Sequence, residues 1–383
     1  TEADFFKAWL RSQYAMTIRE RRKEAKPKDF DKIGTEYHRW VRAEEKSITL
    51  KSSDEFYQFV TRDMRYFAEI YLLLLNASQT RAHGLEAVRY NADAGFTLQH
   101  HLTMAAVCAT DDITTARAKL SVVADFLDCW LNARLWNQKS NSYSNTNYTV
   151  FTIIREIRRK SLADVRNILY KRLVKEMEEA NFNSPVPFNQ FTSKAVHRQL
   201  ARFTDWLEQQ SDQAGRYENY IVRSGKNAYE VEHIWANHYE RFSGHYGQPE
   251  EFRRARNMVG GLLLLPKKIN ASLNDMPYEK KLPHYLKENP LTQSLHEGFY
   301  VKNPGFRQML EKHGLKFEAY EAFGPTELDK RSTLYCKLAA LIWSPDRLLA
   351  ESGNFWYSSS ESTISLSTLL NIFSDLRLFI DLL

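Results

Sequence analysis

Apolar residues recur at three- and four-residue spacings through most of the first half of the chain. Leu120, Val123, Phe126, Leu127, Trp130 and Leu131 form one such stripe, and Val196, Leu200, Phe203, Trp206 and Leu207 another. Both stripes predict amphipathic helices, and the helical period dominates from Thr1 to about Gln210. Turn-forming runs break it at "KPKDFDKIG", "NQKSNSYSNTN" and "NFNSPVPFNQ". Ser161 and Asp164, ahead of "VRNILYKRLVKEMEE", have the spacing of a capping box and mark a helix start. After "SGKNAYE" the pattern changes. "YEVEHIW" and "GGLLLLP" are short, apolar and bounded by Gly, Asn or Pro, as strands are. Helical spacing returns in "YEKKLPHYLKEN", interrupted by Pro283, and continues in "RSTLYCKLAALIW" and "LSTLLNIFSDLRLFIDLL". The fold class predicted is mainly α, with a strand-strand-helix island near the middle.

Composition narrows the class. A chain of 383 residues with 43% hydrophobic content can bury a sizeable core, and its length suggests two or three domains. The three cysteines, Cys108, Cys129 and Cys336, stand far apart, which supports neither a disulfide framework nor a zinc knuckle and fits a reducing cytoplasm. No apolar run reaches membrane-spanning length, so no membrane partner is expected. The start, "TEADFFKAWLRSQY", has acidic residues where a signal peptide is basic. It also lacks an initiator methionine, which raises the expectation of a piece of a longer protein. The formal net charge of +6 makes a polyanionic partner plausible without requiring one.

Several chemistries find no motif. The Gly-Lys of "SGKN" lacks the upstream glycine and following Ser or Thr of a phosphate-binding loop, and there is no Gly-x-Ser-x-Gly or His-Glu-x-x-His. His233, His238 and His245 are irregularly spaced and have no thiolate companions, a poor zinc set. The basic run Arg19 to Lys28 reads as a solvated helix face or, less readily, a phosphate-contacting arm. "RLWNQKSNSYSNTNY" interleaves Trp136, Tyr143 and Tyr148 with Arg134 and Lys139, which suits base stacking and suits an interhelical loop equally well.

Glu232-His233 differs because of its downstream neighbours. A Glu-His pair at a strand end is usually structural, but a second strand and a helix start at Asn270 give a ββα arrangement in which three side chains can converge on one ion. "VEHIW", followed by "RNMVGGLLLLPKKINASLNDMPYEKKLPHYLKENPLTQSL", resembles the HNH nuclease domain of the GmrSD-like, modification-dependent (type IV) restriction enzymes. That family takes in the SspE-like phage-defence proteins. The resemblance runs from about Tyr229 to Phe306, with "DKRSTLYCKLAALIWSPDRL" similar to the helical end of the same domain. It implies a helical linker or scaffold domain over 1–155 and an HNH nuclease domain over 156–383, with the ββα-metal (His-Me) finger at about 229–290 and a helical C-terminal part at 305–383.

Carried over residue by residue, the resemblance makes His233 the general base and Glu232 and Asn270 the metal-holding positions. Asn257 braces the finger. Lys281 is the family's characteristic lysine, for which phosphate contact and a structural salt bridge both stay open. Glu232 stands where many HNH enzymes carry aspartate. The implied cofactor is one Mg2+ or Mn2+ per finger, since oxygen donors with several waters suit those ions. The implied activity is metal-dependent DNA cleavage to 5′-phosphate and 3′-hydroxyl ends, nicking one strand per finger, as effector of a bacterial, cytoplasmic anti-phage restriction system. An N-terminal nucleotide-hydrolysing sensor is expected to be missing from this fragment, and a homo-oligomer is possible. Two other functions stay open: a DNA-binding, signal-transmitting module with weak or lost cleavage, and a ribonuclease using the same finger.

Overall fold

The computed structural model describes residues 1–350 apart from 46, 47, 49, 180, 181 and 183–185. The expected helix over 366–383 and part of "NFNSPVPFNQ" therefore lie outside the described residues. The rest is mainly helical, with one two-stranded sheet among the described residues. The described residues divide into two compact units: those of 1–131, 140–176 and 345–350 form the first, and those of 132–139 with 177–344 the second.

Among its described residues the first unit has helices and no strand. Leu120, Val123, Phe126, Leu127, Trp130 and Leu131 lie on Ile113–Trp136, and each is at most 4% exposed, as the stripe predicts. Helix Glu2–Gln13 opens with a capping box, Thr1 Oγ1 accepting from Asp4 N at 3.3 Å, and buries Phe5, Phe6, Trp9 and Leu10. The Ser161 signal also marks a real start: Ser161 Oγ accepts from Asp164 N at 3.1 Å, just before helix Leu162–Glu179. Two expected breaks are shorter than their composition suggests. In "KPKDFDKIG" the helix Asp29–Ala43 begins inside the run, because Asp31 accepts from Lys28 N at 3.2 Å and caps it. In "NQKSNSYSNTN" the helix Tyr143–Ile157 begins at Tyr143, with Ser142 as its N-cap residue. Polar composition signals a helix entrance there as much as a loop.

The second unit surrounds a β-hairpin. β1 (Tyr229–His233) pairs antiparallel with β2 (Leu262–Pro266), placing His233 opposite Leu262 and Tyr229 opposite Pro266. Leu262, Leu263, Leu264 and Leu265 are all 0% exposed, so β2 is buried on both faces and reads as a continuous apolar run. Each such leucine contributes about 2 kcal/mol by buried area. The strand is also held by polar groups, Asn289 Nδ2 donating to Leu264 O at 2.7 Å and Tyr335 Oη to Leu262 O at 3.1 Å. Gly260, in the turn before β2, is needed for close approach. A Cβ there would lie 2.4 Å from the backbone nitrogen of Ser332, on the long helix Pro325–Ile342. Helix Ser193–Gln210 buries Val196, Leu200, Phe203 and Leu207, with Phe203 against Tyr335 and Trp343. β2 runs into helix Lys267–Leu273, and helix Tyr278–Tyr285 comes next with Pro283 inside it.

Candidate active site

His233 closes β1. Its Nε2 lies 3.0 Å from Asn257 Oδ1. A side-chain carbonyl oxygen only accepts, so Nε2 carries the proton and the lone pair sits on Nδ1. Phe188 packs edge-on to the imidazole, with ring centroids 5.2 Å apart. Asn257 fixes that ring as well, since its main-chain oxygen accepts from Phe188 N at 3.0 Å. One asparagine thus sets both the tautomer of His233 and the aromatic wall beside it. Burial pushes the His233 pKa down to about 3, Arg256 adds to the depression, and the Asn257 bond opposes it. The ring is neutral at pH 7. Arg256 is itself anchored, its Nε donating to Trp235 O at 2.9 Å.

Glu232 points elsewhere, because successive strand side chains leave opposite faces of the sheet. It is 5% exposed, and its Oε1 accepts from Lys281 Nζ at 2.6 Å and from Tyr285 Oη at 2.8 Å. Lys281 is wholly buried. Its other contacts are carbonyls, His233 O at 2.9 Å and Ile234 O at 3.5 Å, so the ammonium ties the end of β1 to helix Tyr278–Tyr285. Burial lowers the Lys281 pKa while the Glu232 charge opposes the shift, and the same carboxylate helps to raise the Tyr285 phenol.

Asn270, on the helix after β2, donates from Nδ2 to Glu230 Oε2 at 3.0 Å. The structure therefore joins His233 with Asn257, Glu232 with Lys281, and Asn270 with Glu230; among the described residues no hydrogen bond links the side chains of Glu232, His233 and Asn270 to one another. His233, His238 and His245 are not gathered either: His238 faces Glu240 at 3.7 Å and Asp275 at 3.5 Å. Among the described residues no cluster of three or more His, Cys, Asp and Glu side chains is placed to hold a metal ion.

Residues 132–338 match the family described as GmrSD restriction endonucleases, C-terminal domain. The chain belongs to that family. A restriction-endonuclease type of function comes with membership, and DNA is the substrate it suggests. The GmrSD match starts at the first residue of the second unit and takes in the whole hairpin with Glu232, His233, Asn257, Asn270 and Lys281. No curated protein and no solved structure matches the chain. No described helix is long and apolar enough to cross a membrane.

Sequence reasoning missed Phe188, Arg256, Tyr285 and Glu230. Only Glu230 left a usable signal: in "YEVEH" the two glutamates alternate onto one strand face, so Glu230 competes with Glu232 for any role on that side. The others meet the hairpin through long-range contacts that no local pattern encodes.

Proposed function

We propose that the second unit is an HNH-type, ββα nuclease that hydrolyses DNA phosphodiester bonds, with His233 as general base. The observation that carries the proposal is a neutral imidazole, its proton fixed on Nε2 by Asn257, at the end of the hairpin that the GmrSD match spans. Nδ1 takes a proton from a water molecule in line with the scissile bond, and the resulting hydroxide forms the new P–O bond. The bond to the 3′ oxygen breaks and solvent returns a proton to that oxygen. The products are 5′-phosphate and 3′-hydroxyl ends. Arg256 supplies positive charge beside the base, where negative charge builds up on the phosphate. One hairpin cuts one strand, so nicking is the elementary event.

The magnesium or manganese ion that the resemblance implies fits Glu232 poorly. That carboxylate is buried and already neutralised by Lys281, and drawing it to an ion would strand a buried ammonium. Asn270 and Glu230 are half-buried, but they meet through the Asn270 amide nitrogen, Glu230 stands 3.8 Å from Lys267 Nζ, and it leaves the strand on the face of Glu232. An ion held there would lie across the sheet from His233, so the steps above rest on the chain's own residues. Lys281 in this proposal is a structural tie, and its burial argues against phosphate contact. The family type supports an effector role in anti-phage restriction.

The test is cleavage of end-labelled DNA and of the matching RNA, each with magnesium, manganese or chelator. DNA products with 5′-phosphate ends that disappear in chelator support the proposal. Cleavage confined to RNA would replace it with a ribonuclease. Binding without cleavage of either strand under all conditions would leave a DNA-binding module.

A further inference from the structure

The two segments that sequence reasoning flagged for nucleic acid, and that the nuclease site does not use, converge in the first unit. A cleft of about 1100 Å³ there is lined by Lys7, Arg11, Arg19, Arg21, Tyr143 and Tyr148, among others. Arg19 and Arg21 come from the basic run after the first helix. Tyr143 and Tyr148 come from the start of helix Tyr143–Ile157, and the Arg21 guanidinium stands 5.0 Å from the Tyr148 ring centroid. Both tyrosines stay open to solvent, at 42% and 43% exposure. An exposed aromatic ring beside a guanidinium is what base stacking uses.

The charges of the cleft are unbalanced in use. Its acids already have partners: Asp4 takes the N-terminal ammonium, Glu20 takes Arg22 and Lys28, and Asp31 takes the backbone N–H groups of Arg19 and Lys28. None of Lys7, Arg11, Arg19 and Arg21 has a carboxylate within ion-pair distance among the described residues. Arg11 is the telling one. It lines the cleft at 7% exposure, held by Phe30 O at 2.7 Å, Tyr143 Oη at 3.2 Å and His101 Nε2 at 3.4 Å, all neutral groups. Buried cations are normally paired, and this one faces a space wide enough for an anion. Gly34 makes room for it, since a Cβ there would lie 1.9 Å from the Arg11 Nη2.

We propose that this cleft binds a nucleoside phosphate, its base stacked on Tyr148 beside Arg21 and its phosphate held by Lys7, Arg11 and Arg19. A free nucleotide and an unpaired nucleotide of a DNA strand present the same chemistry. The site is separate from His233, and it stands or falls without the nuclease proposal.

Binding of a fluorescent single-stranded oligodeoxynucleotide to the full chain is read by anisotropy in chelator, so that the state of the nuclease does not enter. Tyr148→Ala and Arg21→Ala each weaken binding about tenfold, Tyr148→Phe keeps it, and a strand of abasic sites binds the parent protein about tenfold more weakly. Gly34→Ala, which displaces the Arg11 guanidinium, also weakens it. Displacement of the strand by millimolar dAMP assigns the cleft to free nucleotides as well; resistance to dAMP assigns it to strands alone. Unchanged affinity in folded Tyr148→Ala and Arg21→Ala proteins, checked by thermal melting, or equal affinity for the abasic strand, overturns the proposal.

Discussion

The hairpin of the second unit and the cleft of the first both bring charged side chains together, and they treat them in opposite ways. Around the hairpin, opposite charges meet each other: Glu232 with Lys281, and nearby Glu208 with Arg216 at 2.6 Å. These pairs are buried on at least one side and hold backbone in place. In the cleft, the acids are satisfied by the chain terminus, by neighbouring lysine and arginine, or by N–H groups, which leaves four cations facing the opening. Proximity of charged residues therefore does not by itself mark a binding site. What matters is whether the partner is already present in the fold. By that criterion Glu232 is part of the framework, and the proposed reactive group of the hairpin is its neighbour His233.

The largest effect that tests this contrast is on stability. Lys281→Met removes one member of a fully buried ion pair and leaves Glu232 uncompensated, so urea unfolding loses about 3–5 kcal/mol, while Glu232→Gln combined with Lys281→Met recovers a good part of it. A Lys281→Met protein of unchanged stability that had lost DNA affinity would return Lys281 to phosphate contact. Next in size is orientation. Asn257→Ala frees the His233 tautomer and lowers kcat/KM about tenfold with little change in KM for DNA, about 1.4 kcal/mol of transition-state stabilisation. An effect confined to KM would make Asn257 a substrate contact instead.

The pH dependence sharpens the same point. The pKa values of His100 and His197 are pushed down to about 4, and that of His233 to about 3, in each case chiefly by burial. In the unfolded chain these groups titrate near 6.5, so between about pH 6.5 and 4 the unfolded state takes up protons that the native state refuses. The urea midpoint falls as pH drops through that window. His233 stays neutral across it, so kcat/KM shows no acid limb near pH 6.5 and declines only as the pH approaches about 3. A limb near pH 6.5 in an otherwise stable protein would mean that His233 is far more exposed to water than this geometry allows. The smallest effect belongs to the cleft rim: Arg19→Ala lowers single-strand affinity about twofold and reduces the salt dependence of binding by about one counterion.

Legibility in the sequence depends on the range of the interaction. The long helices announced themselves because apolar spacing is local, and the stripes on Ile113–Trp136 and Ser193–Gln210 are buried where expected, apart from half-buried Trp206. The strands were legible from two short apolar runs, and the hairpin register then brings His233 opposite Leu262. What the sequence did not disclose is who meets whom. Glu232 and Lys281 lie 49 residues apart, and nothing local distinguishes a lysine that reaches back to that carboxylate from one that waits for phosphate. The cleft shows the same limit: the basic run and the tyrosine segment each allow a nucleic-acid contact or ordinary surface, and only the folded chain sets Arg21 against Tyr148.

The most direct test of the central claim is cleavage of supercoiled plasmid by the parent chain and by His233→Ala, purified in parallel and matched by circular dichroism. The account predicts nicked circles from the parent protein and a loss of about 10²–10⁴-fold in rate for the variant, the range removed with a general base. Equal nicking by the two proteins would contradict it.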